Sequence, residues 1–289
     1  MERESPFSQL TGHVVICNCN EKVRGIVEQL HAAQGALGAP FDIVTLVQDR
    51  ELWEGRPEWH PRTEGPGRFL TLCGCPSDPE RLAEARIQHA RAAIILADPH
   101  QGQLADARST LVAMAIERQA PQVHTVMELI LSVNRGHLQA TEINEVVCLG
   151  EITEKLLTQS CMMPGSSRLH AHLLTTDVGT CQVFVPRVPE ALCGLSYREI
   201  ARRAIVSGAP LLVCGFMKRR DGTVTPPAQE GGGGTRSKPW KGPNNRAEQR
   251  THTLVLNPRF GRDPGKDTVL GEDDQLIVIS RESPRLDGL

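Results

Sequence analysis

Three positions decide whether this chain can hold a dinucleotide in the usual way. After the apolar run that starts at His13 (HVVICN) a phosphate-binding turn would read G-x-G-x-x-G. Its glycines let backbone approach a pyrophosphate and let the following helix sit close to the strand. Asn18, Asn20 and Val23 occupy those places. Side chains there stand in the way of a phosphate, and the β-branched Val23 crowds helix against strand, so dinucleotide binding is disfavoured. Asn18 and Asn20 are still the side chains a nucleotide would meet at this turn. Asp49, closing the next apolar run, stands where an acid binds ribose hydroxyls in such sheets. Its plain alternative is a solvated strand-end carboxylate.

Two thiol pairs, Cys17-x-Cys19 and Cys73-x-Cys75, also fall at the ends of apolar runs. Thiolates are soft metal ligands and redox-active nucleophiles, so four of them suggest zinc or redox sensing. If the second strand lies between the first and third, however, the pairs are about 10 Å apart. C-x-C is also tighter than the C-x-x-C of structural zinc, and inert buried cysteine is the simpler reading. His170 and His172 lie two apart on a helix and so face different ways, which does not make a metal pair. Lys218, Arg219 and Arg220 read as a solvated entry to a loop. The sequence has no G-x-S-x-G elbow, Walker A loop, H-E-x-x-H helix or Ser/His/Asp arrangement. Its chemistry points to binding rather than catalysis, with a nucleotide-dependent oxidoreductase built on the first lobe as the alternative.

Composition narrows the partners. Net charge is −2 over 289 residues, so no basic field favours nucleic acid. Aromatic residues make up 3%, too few for a base-stacking platform. Nine cysteines, an odd number, suit a reducing compartment. No apolar run approaches eighteen residues, and MERESPFSQLTGH has neither a cationic nor an apolar leader segment. The expectation is a soluble, unexported chain.

The elements that must position these residues alternate. HVVICN, FDIVTLVQD (41–49), RFLTLCG (68–74), AAIILAD (92–98) and VHTVMEL (123–129) read as buried strands. Between them KVRGIVEQLHAAQGAL, DPERLAEARIQHA and DARSTLVAMAIERQ carry helical periodicity. Asp78 precedes Pro79 as a helix cap, and Leu82, Ala85, Ile87 and Ala90 form one apolar helical face. Continuously apolar strands separated by helices predict a doubly wound, Rossmann-like parallel sheet covered on both faces. It is expected over residues 12–144, behind an N-terminal tether of residues 1–11. EVVCLGEITEKLLTQSCMMPG starts as a short strand and becomes helical. Pro164-Gly165 breaks it, and SSRLHAHLLTT resumes as a second helix, giving a crossover pair over 145–175. Residues 176–289 predict a smaller α/β lobe, with a Gly-, Pro- and charge-rich mobile insertion at about 220–250.

Together HVVIC, LTLCGCPSDPERLAEARIQHARAAIILAD and DARSTLVAMAIE resemble the N-lobe of RCK domains, which regulate potassium conductance. EVVCLGEITEKLLTQSCMMPGSSRLHAHLL is similar to the linking helices of the first RCK domain in large-conductance calcium-activated potassium channels. LVLNP followed by LGEDDQLIVIS resembles the C-lobe ending. The resemblance spans nearly the whole chain and implies a dimer that builds a tetrameric or octameric gating ring. Such a ring lies in the cytoplasm at the inner face of the membrane and acts on a potassium-channel pore, on the same polypeptide or a separate subunit. A ring component without ligand is the bland form of the same idea. Leu149, Ile152, Leu156, Leu157, Leu169 and Leu173 are the expected dimer contact. The resemblance also implies a calcium role for Asp106, with Asp98 as a second carboxylate. Yet Val185 and Pro186 stand where the family's partner glutamate falls, and Glu190 is displaced from it. Calcium needs several converging oxygens, so Asp106 alone reads as a helix cap or surface acid. Gly74-Cys75 replaces the Gly-Asp of several RCK domains, which further weakens a nucleotide site.

Overall fold

The computed structural model describes residues 6–37, 40–62, 65–141, 143–176, 179–219, 252–261, 264–286 and 288–289. It divides into two compact units, with the chain boundary at Ser167/Arg168. In the first unit, strand β1 (Val14–Cys17) leads to helix α1 (Val23–Leu37), then β2 (Ile43–Val47) to the short α2 (Arg50–Glu54). Next come β3 (Phe69–Cys73), α3 (Pro79–Glu84), β4 (Ala92–Ile95), α4 (Ala105–Gln119), β5 (His124–Leu129) and β6 (Glu145–Cys148).

All six strands pair parallel in the order β3-β2-β1-β4-β5-β6. The chain reverses direction across the sheet between β1 and β4, which makes that crevice the topological switch point. Every residue of β1 and β2 is buried, because helices cover both faces of the sheet. Full burial of a side chain such as Leu46 is worth about 1.5–3 kcal/mol. Phe7 and Leu10, within the stretch expected to be a tether, lie in the same core.

Asp78 caps α3 as expected, its side chain accepting the Glu80 N–H. The continuous helix expected after it is not formed. Arg86 adopts a left-handed conformation (φ 52°), and a single 3-10 turn follows at Ile87–His89. Leu82, Ala85, Ile87 and Ala90 are all buried nonetheless. The periodicity identified the inward residues correctly, although a broken path delivers them.

Two further helices follow, α5 (Leu149–Met162) and α6 (Ser166–Leu174), neither with a buried residue. The second unit contains β7 (Gln182–Phe184), α7 (Tyr197–Val206), β8 (Leu211–Arg219), β9 (His252–Leu256) and β10 (Gln275–Ser280). Its sheet is antiparallel, in the order β7-β10-β8-β9. Ser196 caps α7 by accepting the Glu199 N–H, and the helix buries Tyr197, Ile200 and Ala204 against Val213, Phe216, Leu276 and Val278. The Tyr197 hydroxyl donates to the Val213 carbonyl at 3.1 Å, so its buried polar end is satisfied. Gly215 lies where β8 meets β9 most closely: a Cβ there would sit 2.3 Å from the Val255 carbonyl oxygen.

The basic run is not a solvated loop entry. Lys218 Nζ donates to the buried Asp274 carboxylate at 2.7 Å, and Arg219 pairs with Asp273. Asp274 also accepts the backbone N–H groups of Arg219 and Gly271, which pins the turn before β10. Arg220 and the expected insertion at about 220–250 lie outside the described residues.

Candidate functional site

The carboxyl ends of the parallel strands surround a cavity of about 490 Å³. Val47, Asp49, Trp53 and Trp59 form one side, and Asp98 and Arg108 stand on the other. Asn18 and Cys19 line it from the β1 turn. Its volume falls within the range of small-molecule sites, and its lining is largely polar. The two tryptophans are nearly buried, and Trp53 stacks on His60 with ring centroids 4.4 Å apart. Sequence reasoning passed over both, although a W-x5-W pair directly after Asp49 was a usable signal.

Asn18 occupies the left-handed region (φ 59°) that a glycine would otherwise take at this turn. Its side-chain amide donates to the Leu96 carbonyl at 3.0 Å. The Asn20 amide donates to Ala97 at 2.9 Å, and its Oδ1 accepts the Lys22 N–H. Both asparagines therefore bridge the switch-point crevice from β1 to the end of β4. Glu128, on β5, completes the lacing. One oxygen takes Lys22 Nζ at 2.7 Å and the other the Ala97 N–H at 2.9 Å. Asp49 caps α2, its Oδ1 accepting the Leu52 N–H at 2.9 Å, while the residue stays exposed to the cavity.

Asp106 is neither a helix cap nor a surface acid. It is 4% exposed, and its carboxylate accepts the N–H groups of Ile130 and Leu131 and the Asn134 side-chain amide, at 2.7 to 3.1 Å. A cation there would have to displace those donors. Asp98 lines the cavity and holds Gln101 at 3.1 Å. Glu190 is exposed and belongs to the other unit. Among the described residues no three His, Cys, Asp or Glu side chains cluster as a metal site.

β2 does lie between β1 and β3, separating the thiol pairs as anticipated. Burial pushes the Cys17 thiol up to about 12 and raises Cys19 as well, whose thiol points to the Leu46 carbonyl. Cys75 is exposed. His170 is half-buried and His172 exposed on α6. Of the residues expected at the dimer contact, Leu149, Ile152, Leu157 and Leu169 are exposed, and Leu156 and Leu173 half-buried. No helix among the described residues is long and apolar enough to cross a membrane.

Comparison with known proteins fits this geometry. The family model described as the calcium-activated potassium channel slowpoke-like RCK domain matches residues 9–127. The chain is 24% identical over 217 residues to the probable ion channel SYM8 of Pisum sativum, covering 73% of this chain and 23% of that protein. It is 24% identical over 161 residues to the calcium-gated potassium channel TvoK of Thermoplasma volcanium, covering 54% and 42%. The structure of the human SLO3 gating ring superposes with a TM-score of 0.58 at 15% identity, covering 93% of this chain and 44% of that one. The two-lobed fold is therefore shared. The chain spans less than half the length of each of these proteins.

Proposed function

We propose that this chain, whose residues 9–127 match the slowpoke-like RCK family model, is the ligand-sensing regulatory part of a potassium channel or transporter. It works without catalysis, as an oligomeric ring at the cytoplasmic face of the membrane. The observation that carries the reading is the crossover pair. Helices α5 and α6 bury nothing, yet Leu149, Ile152, Leu157 and Leu169 leave large apolar side chains in water. Exposed apolar side chains recurring at helical spacing along α5 mark an interaction site, and a second copy of the chain is its simplest cover. Helix α4 carries a separate exposed apolar face at Leu111 and Met114. Two different self-contacts per protomer are enough to close a ring.

In such a ring a ligand acts only through its different affinities for two conformations, a coupling of about 1 to 3 kcal/mol. The cavity at the strand ends is where that ligand would sit. The similarity to proteins named as ion channels, and to a gating ring, supports the pore as the element acted upon. Light scattering tests the assembly: the purified chain should form dimers or larger species at high micromolar concentration. The double variant Ile152→Asp, Leu157→Asp should shift it toward monomer with its circular dichroism unchanged. A chain that stays monomeric throughout that range overturns the ring.

A further inference from the structure

The ends of β1 and β3 each carry two thiols with one residue between them, and the fold treats the two pairs oppositely. Cys17 is buried, and burial raises the thiols of both Cys17 and Cys19. Cys73, the last residue of β3, is half-buried, and Cys75 is exposed. β3 is the edge strand of its sheet, so this second pair opens to solvent. Its two sulfurs can also reach each other. Residues two apart in an extended chain have Cα atoms about 6.6 Å apart, at the upper end of the roughly 4.4–6.8 Å that a disulfide spans. A small closure of the backbone suffices, and Gly74 is placed to supply it. Gly74 takes φ 151°, where a side chain is strained, and a Cβ there would fall 2.6 Å from the stem of Arg81. The framework on either side is held: the Gly74 N–H donates to the Val47 carbonyl at 2.8 Å and the Asp78 N–H to the Cys75 carbonyl at 3.0 Å. Cys75 Sγ lies 3.1 Å from Ser77 Oγ, whose hydroxyl can donate to a thiolate.

We propose that Cys73 and Cys75 are a reversible dithiol–disulfide pair, closed by exchange with a small-molecule disulfide of the glutathione class and reopened by the corresponding thiol. The exposed Cys75 thiolate attacks one sulfur of the small disulfide, whose S–S bond breaks and releases a first thiolate to take up the proton that Cys75 gave away. Cys73, deprotonated in its turn, attacks Sγ of Cys75 in the mixed disulfide and expels the second. The two protein thiols lose two electrons and two protons, and the small disulfide becomes two thiols. A ring this tight is strained, and exposed, strained disulfides are the easily reduced ones. The pair therefore responds to the surrounding thiol poise rather than stapling the fold.

Peptide mass spectrometry tests it on the full chain, reduced and then equilibrated in buffers that run from glutathione alone to glutathione disulfide alone. Each sample is quenched with acid, unfolded, alkylated and cut with trypsin. The peptide Phe69–Arg81 holds these two cysteines and no other. It should become lighter by two hydrogens and lose at least about tenfold of its alkylation as glutathione disulfide comes to dominate, and excess dithiothreitol should restore both thiols. The peptide ending at Lys22, which carries Cys17 and Cys19, should stay alkylated throughout. Cys73→Ser should strand Cys75 as its glutathione adduct, whereas Cys75→Ser should leave Cys73 reduced, each with the circular dichroism of the parent chain. In the parent chain, a lasting glutathione adduct on Cys75 beside a free Cys73 overturns the proposal. So does a 69–81 peptide that keeps both thiols in glutathione disulfide alone, one joined to another cysteine-bearing peptide, or equal oxidation of the two pairs.

Discussion

The two sheets bury apolar residues in different ways. In the parallel sheet of the first unit β1 and β2 are buried at every position. In the antiparallel sheet of the second, α7 covers one face only. On the other, Val183, Leu212, Leu254 and Leu256 are each more than 45% exposed. Val183 and Leu212 flank Ile279 in register and form a row with it, while Leu254 and Leu256 lie opposite Met217 and Gly215 further along β8. A sheet that presents an apolar row to water is built to be covered, whereas one sealed on both sides carries its own stability and can spend its loop ends on a ligand.

The sharpest test of that contrast is a pair of truncations. Leu46→Ala, in β2, should cost about 2–5 kcal/mol in urea unfolding. Leu254→Ala, on the open face of β9, should stay within about 0.5 kcal/mol for the isolated chain. Equal losses would show the second sheet to be as fully covered as the first.

A smaller effect separates the two aspartates. Asp106→Ala strips partners from three donors around the β5 end and should destabilise the first unit by about 3 kcal/mol. Asp49→Ala removes one exposed helix cap and should cost about 1 kcal/mol.

The third test concerns pH. Burial holds the His13 imidazole below its ordinary 6.5, against the opposing pull of the Ala85 carbonyl, 2.9 Å from Nε2. The unfolded chain therefore takes up a proton near pH 6.5 that the folded lobe refuses. This part of the stability is complete above pH 6.5 and is lost as pH falls below it. His13→Gln should flatten the decline in melting temperature between about pH 7 and about pH 5.5. Half-buried His124, its imidazole lowered in the same direction by desolvation, leaves a residual slope.

The smallest effect is chemical. Under native conditions iodoacetamide should label exposed Cys75 and Cys161 and spare Cys17, as read by peptide mass spectrometry. Prompt labelling of Cys17 would show that β1 is open at its carboxyl end.

Much of this architecture was legible because it is written locally. Apolar runs, helical periodicity and the Asp78-Pro79 cap each depend on neighbours in the chain, and they marked the parallel lobe. What was not legible depends on distant partners. Asp106 reads as a surface acid until Ile130, Leu131 and Asn134 arrive from beyond the next strand. Lys22 and Glu128 lie 106 residues apart, and no spacing rule joins them. The missing glycines pointed to an altered turn after β1, but not to the two asparagine amides and the glutamate that lace it to the end of β4. The left-handed Arg86 escaped because the periodicity records which residues turn inward and not the path between them.

Arg219 and His252 face each other as the last pair of the β8–β9 ladder. The polypeptide thus leaves this sheet and rejoins it at one spot, and the hydrogen-bonded register on either side is indifferent to how many residues intervene. Because the entropy of closing a loop grows only with the logarithm of its length, a longer or shorter connection between these two residues would change the stability of the ladder little. A domain grafted between these residues would inherit a rigid two-stranded mount.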